Sequence, residues 1–318
     1  MLSRVADAIH WMCRAVERAD NVARFIEVNH VFALDLPSGV SEQWEPLVNI
    51  TSDNKWFTEH YGVPTRKNVI EFLVCDPDYL SSIYSCVRAA RENARSVRDA
   101  LSSEVWENLN RFYLLVKEET GRGADAVAEN LDLLAEVKRE AHLFFGSFDR
   151  TMSHGEAWQF GRLGEMLERA DKTSRILDVK YFHLLPSVRD VGGPLDESEW
   201  AAILRSVGGL EMYRRRYRRI SPEKAIEFLV LDREFPRSIF FCLNQAETSL
   251  RAIGGTPSGQ FSNEAEQQLG QLHSQFAFAG AQNIMNNGLH EFLDRFQLQL
   301  NGVGDAIHET YFATQPTT

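Results

Sequence analysis

Apolar residues recur every three or four positions along nearly the whole chain, and that spacing predicts helices. From Val5, the residues Ala8, Trp11, Met12, Ala15, Ala19, Val22, Ala23 and Ile26 fall on one face of a helix with about 3.6 residues per turn. His10, Arg14, Glu17, Asp20, Arg24 and Glu27 fall on the opposite face. A second helix repeats the scheme, with Phe160, Leu163, Met166, Leu167, Ala170 and Leu177 against Glu165, Glu168, Asp171, Arg175 and Asp178. Helical runs are predicted over 3–33, 65–75, 77–101, 103–119, 124–148, 153–183, 197–206, 221–231, 233–253, 262–281 and 286–312. Asp76-Pro77, Ser221-Pro222 and Asp196 with Glu199 mark helix starts, because a side-chain acceptor caps free amides and proline suits the first turn. Alternating strand patterns are nearly absent, so the expected fold is all-α.

Two segments occur twice. Glu17-Arg18-Ala19-Asp20 with Arg24 returns as Glu168-Arg169-Ala170-Asp171 with Arg175. Ile70-Glu71-Phe72-Leu73-Val74, followed by Asp76, Ser82, Ile83, Cys86, Ala90 and Arg95, returns as Ile226-Glu227-Phe228-Leu229-Val230, followed by Asp232, Ser238, Ile239, Cys242, Ala246 and Arg251. Order is kept, and the two offsets differ only by a short loop insertion. The chain therefore reads as an internally duplicated helical bundle, residues 1–150 and 151–318, about six helices per half, fused around a shared core. The copies are expected to meet near Asp149-Arg150-Thr151-Met152, and the breaks at Pro37-Ser38-Gly39 and Pro186 to Pro194 read as matching loops within each copy.

Composition narrows the function. With 318 residues, 44% hydrophobic and 25% charged, the chain has ample material for a core. No run approaches the roughly 20 apolar residues that span a bilayer, and no signal-peptide pattern opens the chain, so a cytoplasmic protein without membrane contact is expected. The net charge of −11 opposes nucleic-acid binding. Cys13, Cys75, Cys86 and Cys242 form no Cys-x-x-Cys pair and read as small buried hydrophobes.

The charged motifs carry the candidate chemistry. Glu17, Asp20 and Arg24 share one helical stripe, as do Glu168, Asp171 and Arg175. Such stripes are either surface pairs or a semi-buried network that fixes helix register or binds a polar substrate. Arg88, Arg91, Arg95 and Arg98 form a broad basic face suited to carboxylate or phosphate, or else pair with neighbouring acidic stripes. Tyr213-Arg214-Arg215-Arg216-Tyr217-Arg218-Arg219 is the densest basic stretch, read as a docking surface or as partner to Asp196, Glu197 and Glu199. Glu27-x-x-His30 has the spacing of a di-iron helix, but its counterpart is Asp178-x-x-Tyr181, so no metal site is expected. No phosphate loop, dinucleotide fingerprint or Gly-x-Ser-x-Gly elbow is present, and no cofactor is expected to bind autonomously.

Leu2-Ser3-Arg4-Val5-Ala6 through Trp11 and the first Glu-Arg motif, Ala90-Arg91-Glu92-Asn93-Ala94-Arg95 with Trp106 and Asn110, and the second Glu-Arg motif ending Ser174-Arg175-Ile176-Leu177-Asp178 resemble the bacterial alpha-E family. The resemblance covers essentially the whole chain, though Trp11-Met12-Cys13-Arg14 replaces a commoner glycine-containing form. It implies a helical protein encoded beside or fused to a circularly permuted ATP-grasp protein, with a transglutaminase-like peptidase nearby, and hence amide-bond chemistry in which the partner uses ATP. On that reading Glu17 and Glu168, with Asp20 and Asp171, orient or deprotonate an amine on an amino-acid or peptide substrate. Arg18, Arg169, Arg24, Arg175, Arg88, Arg91, Arg95 and Arg98 would hold a carboxylate or phosphate. The alternative is a non-catalytic scaffold that docks the ligase through Arg214, Arg215 and Arg216.

Overall fold

The computed structural model describes residues 1–35, 44–182 and 193–313. Among these there is no strand. The first half holds α1 (Ser3–Asp35), α2 (Glu45–Asn49), α3 (Asn54–Tyr61), α4 (Arg66–Ile70), α5 (Ile83–Ser96), α6 (Ser103–Thr120), α7 (Ala124–Glu129) and α8 (Asp132–Thr151). The second holds α9 (Glu156–Phe182), α10 (Pro194–Ser206), α11 (Leu210–Tyr217), α12 (Pro222–Ile226), α13 (Ile239–Gly254), α14 (Glu264–Ala277), α15 (Ala281–Asn286) and α16 (Leu289–Ile307). The Pro37-Ser38-Gly39 stretch, most of the loop from Pro186 and the last five residues lie outside the described residues.

Helix starts follow local chemistry, with two corrections. Ser221 caps α12 as expected, its hydroxyl accepting from the Lys224 amide. Asp76-Pro77 does not open α5: Asp76 instead ends a π-helical turn over 71–75, and Ser82 caps α5 by accepting from the Ser85 amide. The same turn recurs after α12, where 227–231 is π-helical and Ser238 caps α13 through the Phe241 amide. In both turns the aspartate Oδ1 accepts two amides, Asp78 and Tyr79 at Asp76, Glu234 and Phe235 at Asp232. The start of α10 lies at Pro194, ahead of Asp196 and Glu199, which are buried in its first turns.

The centre of the molecule is the pair α1 and α9, which lie side by side and run the same way. His10 sits beside Phe160 near their starts, and Arg18 beside Glu168 further along. Close approach is possible because α9 carries glycines there: a Cβ on Gly164 would lie 2.5 Å from the His10 carbonyl oxygen. The glycines absent from Trp11 to Arg14 of α1 are thus matched by glycines on the facing helix. Around this pair α5 and α8 pack on α1, while α13 and α16 pack on α9. One continuous apolar cluster contains residues of both halves. Both faces of α1 are consequently covered, the polar one included.

Candidate functional site

Burying the polar stripes forces their charges to find partners, and they find them across the α1–α9 seam. Glu17 accepts both prongs of the Arg169 guanidinium, Nε at 2.9 Å and Nη2 at 2.8 Å. Glu168 accepts both prongs of Arg18, Nε at 2.6 Å and Nη2 at 3.0 Å. Each Glu of one Glu-Arg dipeptide therefore clasps the Arg of the other, in the bidentate geometry that suits guanidinium to carboxylate. Both carboxylates are fully buried. The aspartates one turn on hold arginines of their own helix: Arg24 Nε lies 2.9 Å from Asp20, and Arg175 Nε 3.0 Å from Asp171.

Those arginines reach onward into the opposite half. Arg24 Nη1 donates to the Ser206 carbonyl at the end of α10, and Arg175 Nη1 to the Ile50 carbonyl at the end of α2, both at 2.6 Å. A cation on the last carbonyls of a helix satisfies acceptors that have no intrahelical partner and meets the negative end of the helix dipole. One turn further, Glu27 accepts from Lys138 of α8 at 2.6 Å, and Asp178 pairs with His290 of α16 at 2.9 Å. The carboxylate of the di-iron spacing, Glu27, is thus taken up by Lys138, and among the described residues no cluster of three or more ligand side chains is placed to hold a metal.

The two halves differ in what surrounds the clasps. Around Glu17, Arg237 adds Nη1 at 3.0 Å and also reaches Asp20 through Nη2 at 2.5 Å, while Asn21 Nδ2 donates at 2.8 Å. Around Glu168 stand Arg14, with Nε at 3.0 Å, and Lys172, with Nζ at 3.5 Å from Glu168 and 2.7 Å from Asp171. Arg169 and Arg237 are 11% and 10% exposed, whereas Arg14 and Arg18 are 19% and 21% exposed. That difference matches an opening: Arg14, Arg18, Lys172 and Arg175 line a cavity of about 420 Å³. Trp11, Tyr79 and Ser81 form part of its wall, and Asp305 and His308 of the α16 end line it as well. No side chain of the Glu17 clasp lines it.

This geometry bears on the expected base chemistry. Burial alone would push the Glu17 carboxyl up, but Arg169 and Arg237 outweigh it and hold it below its ordinary value. Burial likewise opposes ionisation of Glu168, and Arg18, Lys172 and Arg14 override it by a wider margin. Asp20 and Asp171, against the same burial, are brought down to about 2 by Arg237 with Arg24 and by Lys172 with Arg175. A base needs a raised value, so the deprotonating role assigned to Glu17 and Glu168 does not follow from their surroundings. They are fixed anions that orient guanidinium groups. His10 is held neutral, brought to about 3 by burial and by Arg14.

The remaining basic candidates lie apart from this centre. Arg88, Arg91, Arg95 and Arg98 do not line the cavity; they face α6 and solvent. Arg91 Nε donates to Asn110 Oδ1 at 2.8 Å and its guanidinium lies 4.9 Å from the Tyr113 ring, while Arg98 lies 4.8 Å from the Trp106 ring. Arg95 pairs with Glu92, and Arg88 lies over Tyr84. The wall is a set of cation–π and local polar contacts. Arg214, Arg215 and Arg216 are exposed, but Arg216 pairs with Asp232 instead of the α10 acids, and Tyr213 is buried, its hydroxyl donating to the Arg219 carbonyl. Sequence reasoning overlooked Arg14, Lys172, Arg237 and Ser81 as site residues. Aligning the two sets of repeated motifs position by position, Asn21 with Lys172 and Ser81 with Arg237, shows where they differ.

All four cysteines are free, and burial raises Cys86 and Cys242 to about 12. No described helix is long and apolar enough to cross a membrane. Three uncharacterized proteins, one from Mycobacterium bovis and two from strains of Mycobacterium tuberculosis, are 23% identical to the chain over 333 residues, covering 98% of it and 37% of their own length. The chain thus spans little more than a third of the curated relatives it matches. No solved structure matches it. Residues 1–312 match a family described as a predicted alpha-helical domain with a conserved ER motif. Only two Glu-Arg dipeptides occur in the sequence, Glu17-Arg18 and Glu168-Arg169, and they are the two that clasp each other at the α1–α9 seam. The chain belongs to the Alpha-E family.

Proposed function

We propose that this chain is the substrate-binding component of an ATP-grasp-linked system that forms or modifies amide bonds, and that the cavity beside Glu168 takes the acidic end of an aminoacyl or peptide substrate. The observation that carries the reading is the convergence of Arg14, Arg18, Lys172 and Arg175 on one cavity, of a size that suits a small ligand. Glu168 and Asp171 hold these side chains in place from behind, so the cations are preorganised for an incoming anion. ATP is used by the partner, which activates a carboxylate, and this chain presents the acceptor or holds the activated group. Reconstitution with the ATP-grasp partner, ATP and a short peptide tests it. An Arg14→Ala/Arg18→Ala variant is expected to lose product at least tenfold while Arg88→Ala retains it, and undiminished product from the double variant would end the proposal.

A scaffold reading draws on a separate observation. Arg214 and Arg215 are exposed on the short helix α11, with no side-chain hydrogen bond or ion pair among the described residues. Docking of the partner through them predicts that Arg214→Ala/Arg215→Ala fails to capture the ATP-grasp protein in a pull-down, whereas the cavity variants still capture it.

A further inference from the structure

The carboxylate pairs Glu17 with Asp20 and Glu168 with Asp171 are built alike and closed differently. In one, Arg237 bridges both acids. It is the residue directly before the capping Ser238, in the repeated turn that precedes α13. The residue in that place before Ser82 is Ser81, whose side chain is far too short to reach across, and it lines the cavity instead. The bridging cation there is Lys172, which arrives from the position that Asn21 holds in α1. Both pairs of acids are therefore neutralised. The volume that an arginine side chain fills in the first half of the seam is cavity in the second.

Charge sharpens the contrast. At the base of the cavity two buried acids, Glu168 and Asp171, face four cations, Arg14, Arg18, Lys172 and Arg175, and the exposed Asp305 is the one further acid in the lining, which leaves the cations in excess by one. Arg14 donates only through Nε, and Arg18 only through Nε and Nη2, among the described residues. Their other guanidinium N–H groups remain for a ligand. Resting on the reading that this cavity binds substrate, we infer that Ser81 keeps the site open and that the group entering beside it is an oxyanion, carboxylate or phosphate, taken up by Arg14, Arg18 and Lys172. The Glu17 side is the same site permanently closed by Arg237, so the chain offers one ligand site from two related halves.

Isothermal titration calorimetry on the whole chain tests this with alanyl-alanine, its C-terminal amide and inorganic phosphate as probes. Ser81→Arg is expected to weaken anion binding at least tenfold and Ser81→Ala to leave it within about twofold. If crowding of cations unfolds Ser81→Arg, the double variant Ser81→Arg/Lys172→Asn keeps the charge constant, copies the residues of the closed side, and is expected to bind at least tenfold more weakly than Lys172→Asn alone. Preference for alanyl-alanine over its amide identifies a carboxylate ligand, and tighter binding of phosphate identifies a phosphoryl one; either supports an oxyanion. Wild-type affinity in the folded arginine variants would overturn the role of Ser81 while leaving the cavity as a substrate site. Failure of the unaltered chain to bind either anion would overturn both readings.

Discussion

The Glu17 and Glu168 sites use the same dipeptide, the same helix spacing and the same bidentate clasp, yet one is a sealed structural core and the other is the wall of a cavity. Two positions account for the difference, Arg237 against Ser81 and Asn21 against Lys172. A buried ion pair is weak evidence for net stabilisation, because desolvation offsets much of the attraction. What it does supply is register: with each Glu holding the other helix's Arg, α1 and α9 cannot slide or rotate without stranding a charge. With register held in this way, serine at 81 and lysine at 172 stand beside a cavity without loosening the seam. The lesson is that one clasp geometry can seal a core on one side and back a cavity on the other.

Breaking the sealed side should have the largest effect. Arg237→Ala leaves Glu17 and Asp20 without their shared cation in a fully buried setting, and such a loss typically costs about 3–5 kcal/mol. Lys172→Ala stands at an open cavity that water can enter, and about 1–2 kcal/mol is expected. Urea unfolding of both variants checks the order, and equal losses would mean that the two sites are not distinguished by burial.

Acid should probe both sides together. The folded-state values of Glu17, Asp20, Glu168 and Asp171 are depressed, so the stability they contribute is fully present above their unfolded values near pH 4. It is lost as pH falls through the folded values, about 2 for the two aspartates. Asp20→Asn should therefore be less stable at neutral pH by on the order of 2 kcal/mol and show a shallower loss of stability between about pH 4 and 2. Unfolding monitored by circular dichroism across that range reads the slope, and a slope unchanged from the unaltered chain would show that Asp20 is not held as described.

How much of this was legible beforehand depends on the kind of signal. Long helices such as α1, α6 and α9 announce themselves because several turns of apolar spacing accumulate, whereas α2, α3, α11 and α15 are too short to show a period and went unread. The inward turn of the Glu-Arg stripes was weighed against a solvated face and not decided by spacing, since an i, i+4 pair looks the same in either setting. Cross-helix pairing is written in no local pattern: Arg18 reaches Glu168, not Glu17, because α9 lies where it does. The spacing of Arg91 and Arg98 leaves anion binding and ion pairing both open, because the Trp106 and Tyr113 rings that cover them come from the next helix. Gly161 and Gly164, which let α1 and α9 approach, look like ordinary helix weak points until their neighbours are known.

The functional half of the contrast should appear at smaller energies. Removing one charge-assisted contact at the open side, as in Arg14→Ala, is expected to weaken anion binding about tenfold, which corresponds to roughly 1.4 kcal/mol. Arg162→Ala, whose guanidinium pairs with Glu165 outside the cavity, should leave that affinity unchanged. Calorimetric titration with inorganic phosphate separates the two, and equal weakening by both variants would mean that bulk positive charge, and not the built cavity, attracts the anion.

The smallest effect belongs to the arginine face of α5, and it delimits the comparison from outside. Arg98 rests over the Trp106 ring at 4.8 Å, an exposed cation–π contact of about 0.5–1 kcal/mol. Arg98→Ala should lower the unfolding midpoint slightly while anion affinity at the cavity stays within error of the unaltered chain. A loss of affinity in this variant would extend the ligand site beyond the α1–α9 seam, and the asymmetry between Ser81 and Arg237 would then explain only part of it. An unaltered affinity confines recognition to the side chains that Glu168 and Asp171 hold, which is what a preorganised site behind a buried clasp requires.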